Sequence, residues 1–64
     1  MLEEGQYRRR DDGKYLELAE RFEDGAWGCE VVEDPTSPLY IGYEEREERD
    51  LDQLELWTPP GRAA

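Results

Sequence analysis

"KYLELAERFEDGAWGCEVVE", residues 14–33, carries the alternation on which the fold turns. Leu16 and Leu18 fall on one face of an extended segment, with Glu17 on the other and Tyr15 and Ala19 on the Glu17 side. Asp24-Gly25 is a hairpin turn signal, and the segment after it alternates again, with Trp27, Cys29 and Val31 sharing a face. Gly28, inside that second run, reads as a bulge or a point of close approach. The same turn signal stands earlier, at Asp12-Gly13 after "QYRRR". Two Asp-Gly turns with period-two segments between them predict an antiparallel meander.

Downstream, "DPTSP" reads as a loop, because Pro35 and Pro38 each remove a backbone donor. "LYIGYE" reads as a fourth strand with Leu39, Ile41 and Tyr43 on one face. In "YEEREERDLDQLELW" the i, i+3 spacing of Leu51 and Leu54 suits a helical turn, and the alternation of Leu54 and Leu56 suits a strand ending at Trp57. The reading is a short helix or helical turn over residues 46–53, then a strand over 54–57. The fold class expected is therefore mainly β: a small antiparallel sheet or SH3-like partial barrel of four to five strands. Leu16, Leu18, Trp27, Cys29, Val31, Leu39, Ile41 and Leu54 are the expected core, with Leu51 covering one end. Pro59 and Pro60 stop the regular structure. One domain, 1–64, is expected, with an ordered body over about 5–58 and a mobile end at 59–64.

Composition narrows the chemistry. Hydrophobic residues make up 36% and charged residues 41%, with a net charge of −10. That balance borders on disorder, but the 11% aromatic content sits in patterned segments. Residues 1–14 are neutral, whereas residues 15–56 hold fourteen carboxylates against Arg21, Arg46 and Arg49, so the acidity belongs to the folded body. There is no histidine, the commonest general base near neutral pH, and Cys29 is the only cysteine. Cys29 reads as a small buried residue of a reducing cytosol. "DLDQLE" offers hard oxygen ligands in Asp50, Asp52 and Glu55 but lacks the calcium-loop pattern, so no cofactor and no metal is expected. Nothing resembles a signal peptide or membrane span, and a cytoplasmic, non-enzymatic protein follows. "YRRR" with Lys14 reads as an exposed strand whose arginines pair with carboxylates; Arg8 and Arg10 share a face.

Two functions fit these features. One is a nucleic-acid mimic, whose closely spaced carboxylates approach the charge density of a polyanion carrying one charge per ~3.4 Å of each strand. Its candidate contacts are Glu30, Glu33, Asp34, Glu44, Glu45, Glu47, Glu48, Asp50 and Asp52. Glu45, Glu48 and Asp52 would line one helical face, and Glu44, Glu47 and Asp50 a neighbouring one. The other is an SH3-like accessory module of a phage or mobile element, binding a protein or peptide in a groove lined by Tyr7, Tyr40 or Trp57. A single contiguous acidic face would favour the first, and evenly spread charge beside an exposed aromatic groove the second.

Through "ELAERFEDGAWGCEVVEDP" and "YEEREERDLDQLELW" the chain resembles the small acidic anti-CRISPR proteins of phages and mobile elements, above all those that inhibit type I systems as DNA mimics. The likeness lies in size and charge layout over the whole chain. It implies a monomeric inhibitor in the bacterial host cell that does not bind nucleic acid itself. It further implies a target in the Cascade complex, the subunit that reads the PAM duplex, with I-C the favoured subtype and target DNA binding the blocked step.

Overall fold

The computed structural model describes residues 2–37 and 39–59. Five strands, β1 (Tyr7–Arg9), β2 (Tyr15–Arg21), β3 (Ala26–Val32), β4 (Tyr40–Glu47) and β5 (Glu55–Trp57), and one helix, α1 (Glu48–Asp52), follow one another in chain order β1-β2-β3-β4-α1-β5. The strands form one open antiparallel sheet in the order β4-β3-β2-β1-β5. The mainly β expectation, with one short helical turn near residue 50, holds.

Both Asp-Gly signals make the same turn. Arg10 donates its N–H to the Lys14 carbonyl (2.7 Å) and Phe22 to the Ala26 carbonyl (2.8 Å), closing three-residue loops. Gly13 and Gly25 each take φ 89°, the left-handed conformation that ends such a loop and that side-chain-bearing residues resist. Asp12 and Asp24 accept the N–H of the residue two positions on, Lys14 (3.1 Å) and Ala26 (3.0 Å). Local chemistry thus fixes both hairpins, and the hairpins fix which face of each strand is apolar.

That face carries Leu16, Leu18, Trp27, Cys29 and Val31, all buried. It is covered by Leu2, by Leu51 from α1 and by the half-buried Leu54. The helix is one turn long and has no side-chain cap. Too short to be stable alone, it is held by the full burial of Leu51. Cys29 is equally buried, and burial pushes its thiol up to about 11, so it stays protonated and unreactive at neutral pH.

Several expectations about the core need correction. Leu39 and Ile41 are exposed, at 74% and 46%. The register slips between Val31 and Val32, so that Gly42 and Tyr40 pair with them and Ile41 is left out as a bulge. Val32, in contrast, is fully buried on the other face, between cross-strand neighbours Tyr15 and Tyr40. Leu2 belongs to the core, because Gly5 and Gln6 continue the pairing beside β2: Gly5 donates to the Leu18 carbonyl (2.8 Å), and Leu18 donates to the Gln6 carbonyl (2.9 Å). Leu2, which precedes the expected ordered body of about 5–58, packs in this core. Arg8 is not an exposed carboxylate partner. It lies on the covered face, 8% exposed, and its Nη1 donates to the Leu54 carbonyl (2.9 Å). Of the expected mobile end, 59–64, residues 60–64 lie outside the described residues.

Candidate partner-binding surface

Among the described residues no further element packs as a layer over the second face of the sheet. Its residues follow from the pairing register. Tyr7 on β1 stands opposite Glu17 on β2, Glu17 opposite Glu30 on β3, and Glu30 opposite Tyr43 on β4. One step towards the β2–β3 turn, Glu20 and Glu45 flank Gly28 from either side. Glu20 reaches this face because a bulge at Ala19 shifts the register after Leu18. Four carboxylates, Glu17, Glu20, Glu30 and Glu45, are thereby spread over three adjacent strands. Among the described residues the seven ion pairs use Asp12, Glu44, Glu47, Glu48 and Glu55 and none of these four, although the Arg9–Glu55 pair lies on the same face at its β5 edge. No arginine or lysine among the described residues is paired with any of the four.

Gly28 makes the close approach that its place in a strand suggested. A Cβ there would collide with the Tyr43 hydroxyl and stand 3.2 Å from the Phe22 ring, so the missing side chain lets Tyr43 lie across the sheet. The Tyr43 hydroxyl is held above its ordinary pKa by partial desolvation and then by Glu45, Glu20 and Glu30. The negative field of these carboxylates converges on one phenol.

Towards the β5 edge the same face is aromatic. Trp57 meets Tyr7 edge-on (centroids 5.7 Å apart) and Tyr15 likewise (6.2 Å). The Tyr7 hydroxyl donates to Glu17 (3.2 Å). Burial, and next the Glu17 charge, push its pKa up to about 12. Tyr40 is raised chiefly by its own hydrogen bond to Glu17. Tyr7, Tyr40 and Trp57, expected to line a peptide groove, thus spend their contacts on one another's neighbours and on Glu17.

The nine carboxylates singled out from the sequence are not brought together. Glu30 and Glu45 lie on the open acidic face, with Glu47 at its margin where β4 ends. Glu44 projects over the covered face, where Arg46 (3.0 Å) and Arg10 (3.3 Å) hold it. Glu47 ends β4 and pairs with Arg49 (3.4 Å). Glu48 accepts from the Trp27 indole (3.4 Å) and lies 3.9 Å from Arg21. Asp50 and Asp52 are exposed on α1, and Glu33 and Asp34 follow the far end of β3. Asp34 is occupied in a turn, accepting from the Thr36 N–H (2.9 Å) and hydroxyl (2.6 Å), which lower its pKa. The expected helical lines through Glu44, Glu45 and Glu47 do not form, because those residues are in β4, where successive side chains point to opposite faces.

No protein-family model, curated protein or solved structure matches this chain. The surface is therefore interpreted from its own chemistry. Sequence reasoning missed Glu17 and Glu20. The signal for Glu17 was present, since it alternates with Leu16 and Leu18; Glu20 needed the bulge. Among the described residues no helix is long and apolar enough to cross a membrane.

Proposed function

We propose that the protein is an inhibitor that offers its open acidic face to a basic nucleic-acid-binding protein in place of DNA. The observation that carries this reading is the set of four carboxylates on three adjacent strands with no cation among the described residues paired to any of them. Glu17 and Glu30 stand directly opposite each other, an arrangement that destabilises a sheet by about 0.2–1 kcal/mol. The fold gains nothing from that repulsion, whereas a basic groove would. Neighbouring strands place such carboxylates about 5 Å apart and alternate residues about 7 Å apart, close to the spacing of a polyanion. Because the strands are held by hairpins and a core, little ordering entropy is lost on binding.

By its resemblance to anti-CRISPR mimics, the target is the PAM-reading subunit of a type I Cascade complex, and the blocked step is target DNA binding. The aromatic cluster supports the alternative of a peptide-binding module less well, since Tyr7 and Tyr40 already engage Glu17 and Trp57 packs on Tyr7 and Tyr15.

The test is displacement of labelled PAM duplex from purified type I-C Cascade, followed by fluorescence anisotropy at several salt concentrations. The parent should displace DNA, with a potency that falls steeply as salt rises. A Glu30→Lys, Glu45→Lys double variant should lose at least about tenfold in potency. Glu47→Lys, Glu48→Lys should lose less, because those charges are already matched by Arg49 and Arg21. A folded Glu30→Lys, Glu45→Lys variant as potent as the parent would remove this reading.

A further inference from the structure

The sheet is open, and its longer free edge is β4, eight residues against three in β5. The direction of its backbone groups follows from the strands inside it. Leu18 donates its N–H to Gln6, on the β1 side. In the Leu18–Cys29 pair, therefore, neither residue bonds the other, and Cys29 turns its N–H and C=O towards β4. The Phe22 to Ala26 hydrogen bond sets the same alternation from the turn and directs the Trp27 groups to β4 as well. Glu44 and Arg46, opposite Cys29 and Trp27, accordingly hold the ladder to β3. Tyr43, Glu45 and Glu47 turn their N–H groups outward, where the sheet has no further strand.

All three are exposed. The bulge at Ile41 blunts only one end of the edge. Tyr40–Glu47 holds no proline or lysine, and its exposed charge is acidic, which discourages an acidic or neutral strand and favours a basic one.

We propose that β4 receives an extended, lysine- or arginine-bearing segment of the partner as a sixth strand. This rests on the proposed use of the open face for a basic partner and specifies how that partner is held. A strand added here bonds to Tyr43, Glu45 and Glu47, and its residues directly opposite them project over the open face. Alternate side chains of the added strand therefore stand beside Tyr43, Glu45 and Glu47, with Glu30 one strand further in, so cationic residues at alternate positions fit and anionic ones do not. A second copy of the chain is the poorer occupant. Its own edge is acidic, and each copy carries a net charge of −10.

The probe is a blocked peptide of alternating lysine and threonine, about eight residues long, enough to span the regular part of β4. Amide exchange is read by NMR on the parent protein with and without peptide. The amides of Tyr43, Glu45 and Glu47 should exchange at least about tenfold more slowly when peptide is bound, while those of Glu44 and Arg46 change little. Glu45→Pro and Glu45→Gln both remove the charge, but only the former removes the outward donor, and it sits where no bond to β3 is lost. Peptide should bind Glu45→Pro at least about tenfold more weakly than Glu45→Gln. If Glu45→Pro does not fold, the exchange measurement on the parent decides alone. Binding without slower exchange at the three amides would overturn edge pairing, leaving the lysines on the acidic face and the reading of that face intact. Failure of the peptide to bind would also overturn it, with DNA displacement by the parent still deciding separately on the acidic face. Concentration-dependent slowing of the same amides without peptide would assign the edge to a second copy and exclude the proposal.

Discussion

Glu44 and Glu45 are neighbours in the chain and belong to different worlds. Glu44 stands over the covered face of the sheet, half-buried, bound by Arg46 and by Arg10 from the far side of the first hairpin. Glu45 stands on the open face, exposed, with Glu20 and Glu30 nearby and no cation among the described residues paired to it. On the covered face charge is neutralised and contributes to holding strands together. On the open face Glu17, Glu20, Glu30 and Glu45 are left to repel, at a small cost to stability. A fold under no other demand would remove that repulsion with glutamine or lysine. The difference between the faces separates what the protein needs in order to fold from what it carries for another molecule.

The harshest way to test that division is to damage the covered face. Leu18 is fully buried at the centre of the apolar cluster, and Leu18→Ala should cost about 2–5 kcal/mol. In a domain this small such a loss removes much of the total stability. Urea unfolding followed by Trp27 and Trp57 fluorescence gives the number. A midpoint that does not move would mean the apolar face has been assigned to the wrong side of β2.

Gly28 links the faces, since its neighbours Trp27 and Cys29 point into the core while its own missing side chain makes room for Tyr43. Gly28→Ala should destabilise by about 1 kcal/mol, less than a typical overpacked core, because the obstructing atom is the movable end of Tyr43. The same urea curves measure it. A shift in the Tyr43 ring resonances is the accompanying sign that the ring has left the sheet, and a variant as stable as the parent with unshifted resonances would show that Tyr43 does not lie there.

How much of this was legible in the sequence follows the same division. The alternation of β2 and β3 was readable because one side of each strand is covered and the other is not, the condition under which period two appears. The two Asp-Gly turns were readable because their chemistry is local. Leu39 and Ile41 misled, since a bulge is a register event between strands and leaves no mark in either strand alone. Leu2 was overlooked because a single apolar residue before "EEGQ" has no period. The sequence draws the eye to where carboxylates crowd along the chain, in residues 43–57 and at Glu30, Glu33 and Asp34. In a sheet the relevant crowding runs across strands, so Glu17 and Glu30, thirteen positions apart, are closer partners than Glu44 and Glu45.

The smallest effect expected is also the most local. Tyr7 ionises at about 12 in the folded protein, from burial first and then from the charge and hydrogen bond of Glu17; an unfolded tyrosine ionises near 10. The folded state therefore keeps a proton that the unfolded chain gives up, and the stability this contributes is fully present below about pH 10 and is lost as pH rises towards 12. Glu17→Gln removes the charge and leaves the burial. Tyrosinate absorbance should then show Tyr7 titrating at lower pH than in the parent but still above 10, and the fall in stability on the alkaline side should become shallower. At neutral pH the same substitution relieves the repulsion between Glu17 and Glu30, so stability there should rise by a few tenths of a kcal/mol, within the roughly 0.2–1 kcal/mol typical of such pairs. A Tyr7 titration unchanged by Glu17→Gln would show that the hydroxyl does not reach the carboxylate. A neutral-pH stability that falls would show that Glu17 serves the fold, and would weaken the case that the open face keeps its charge for a partner.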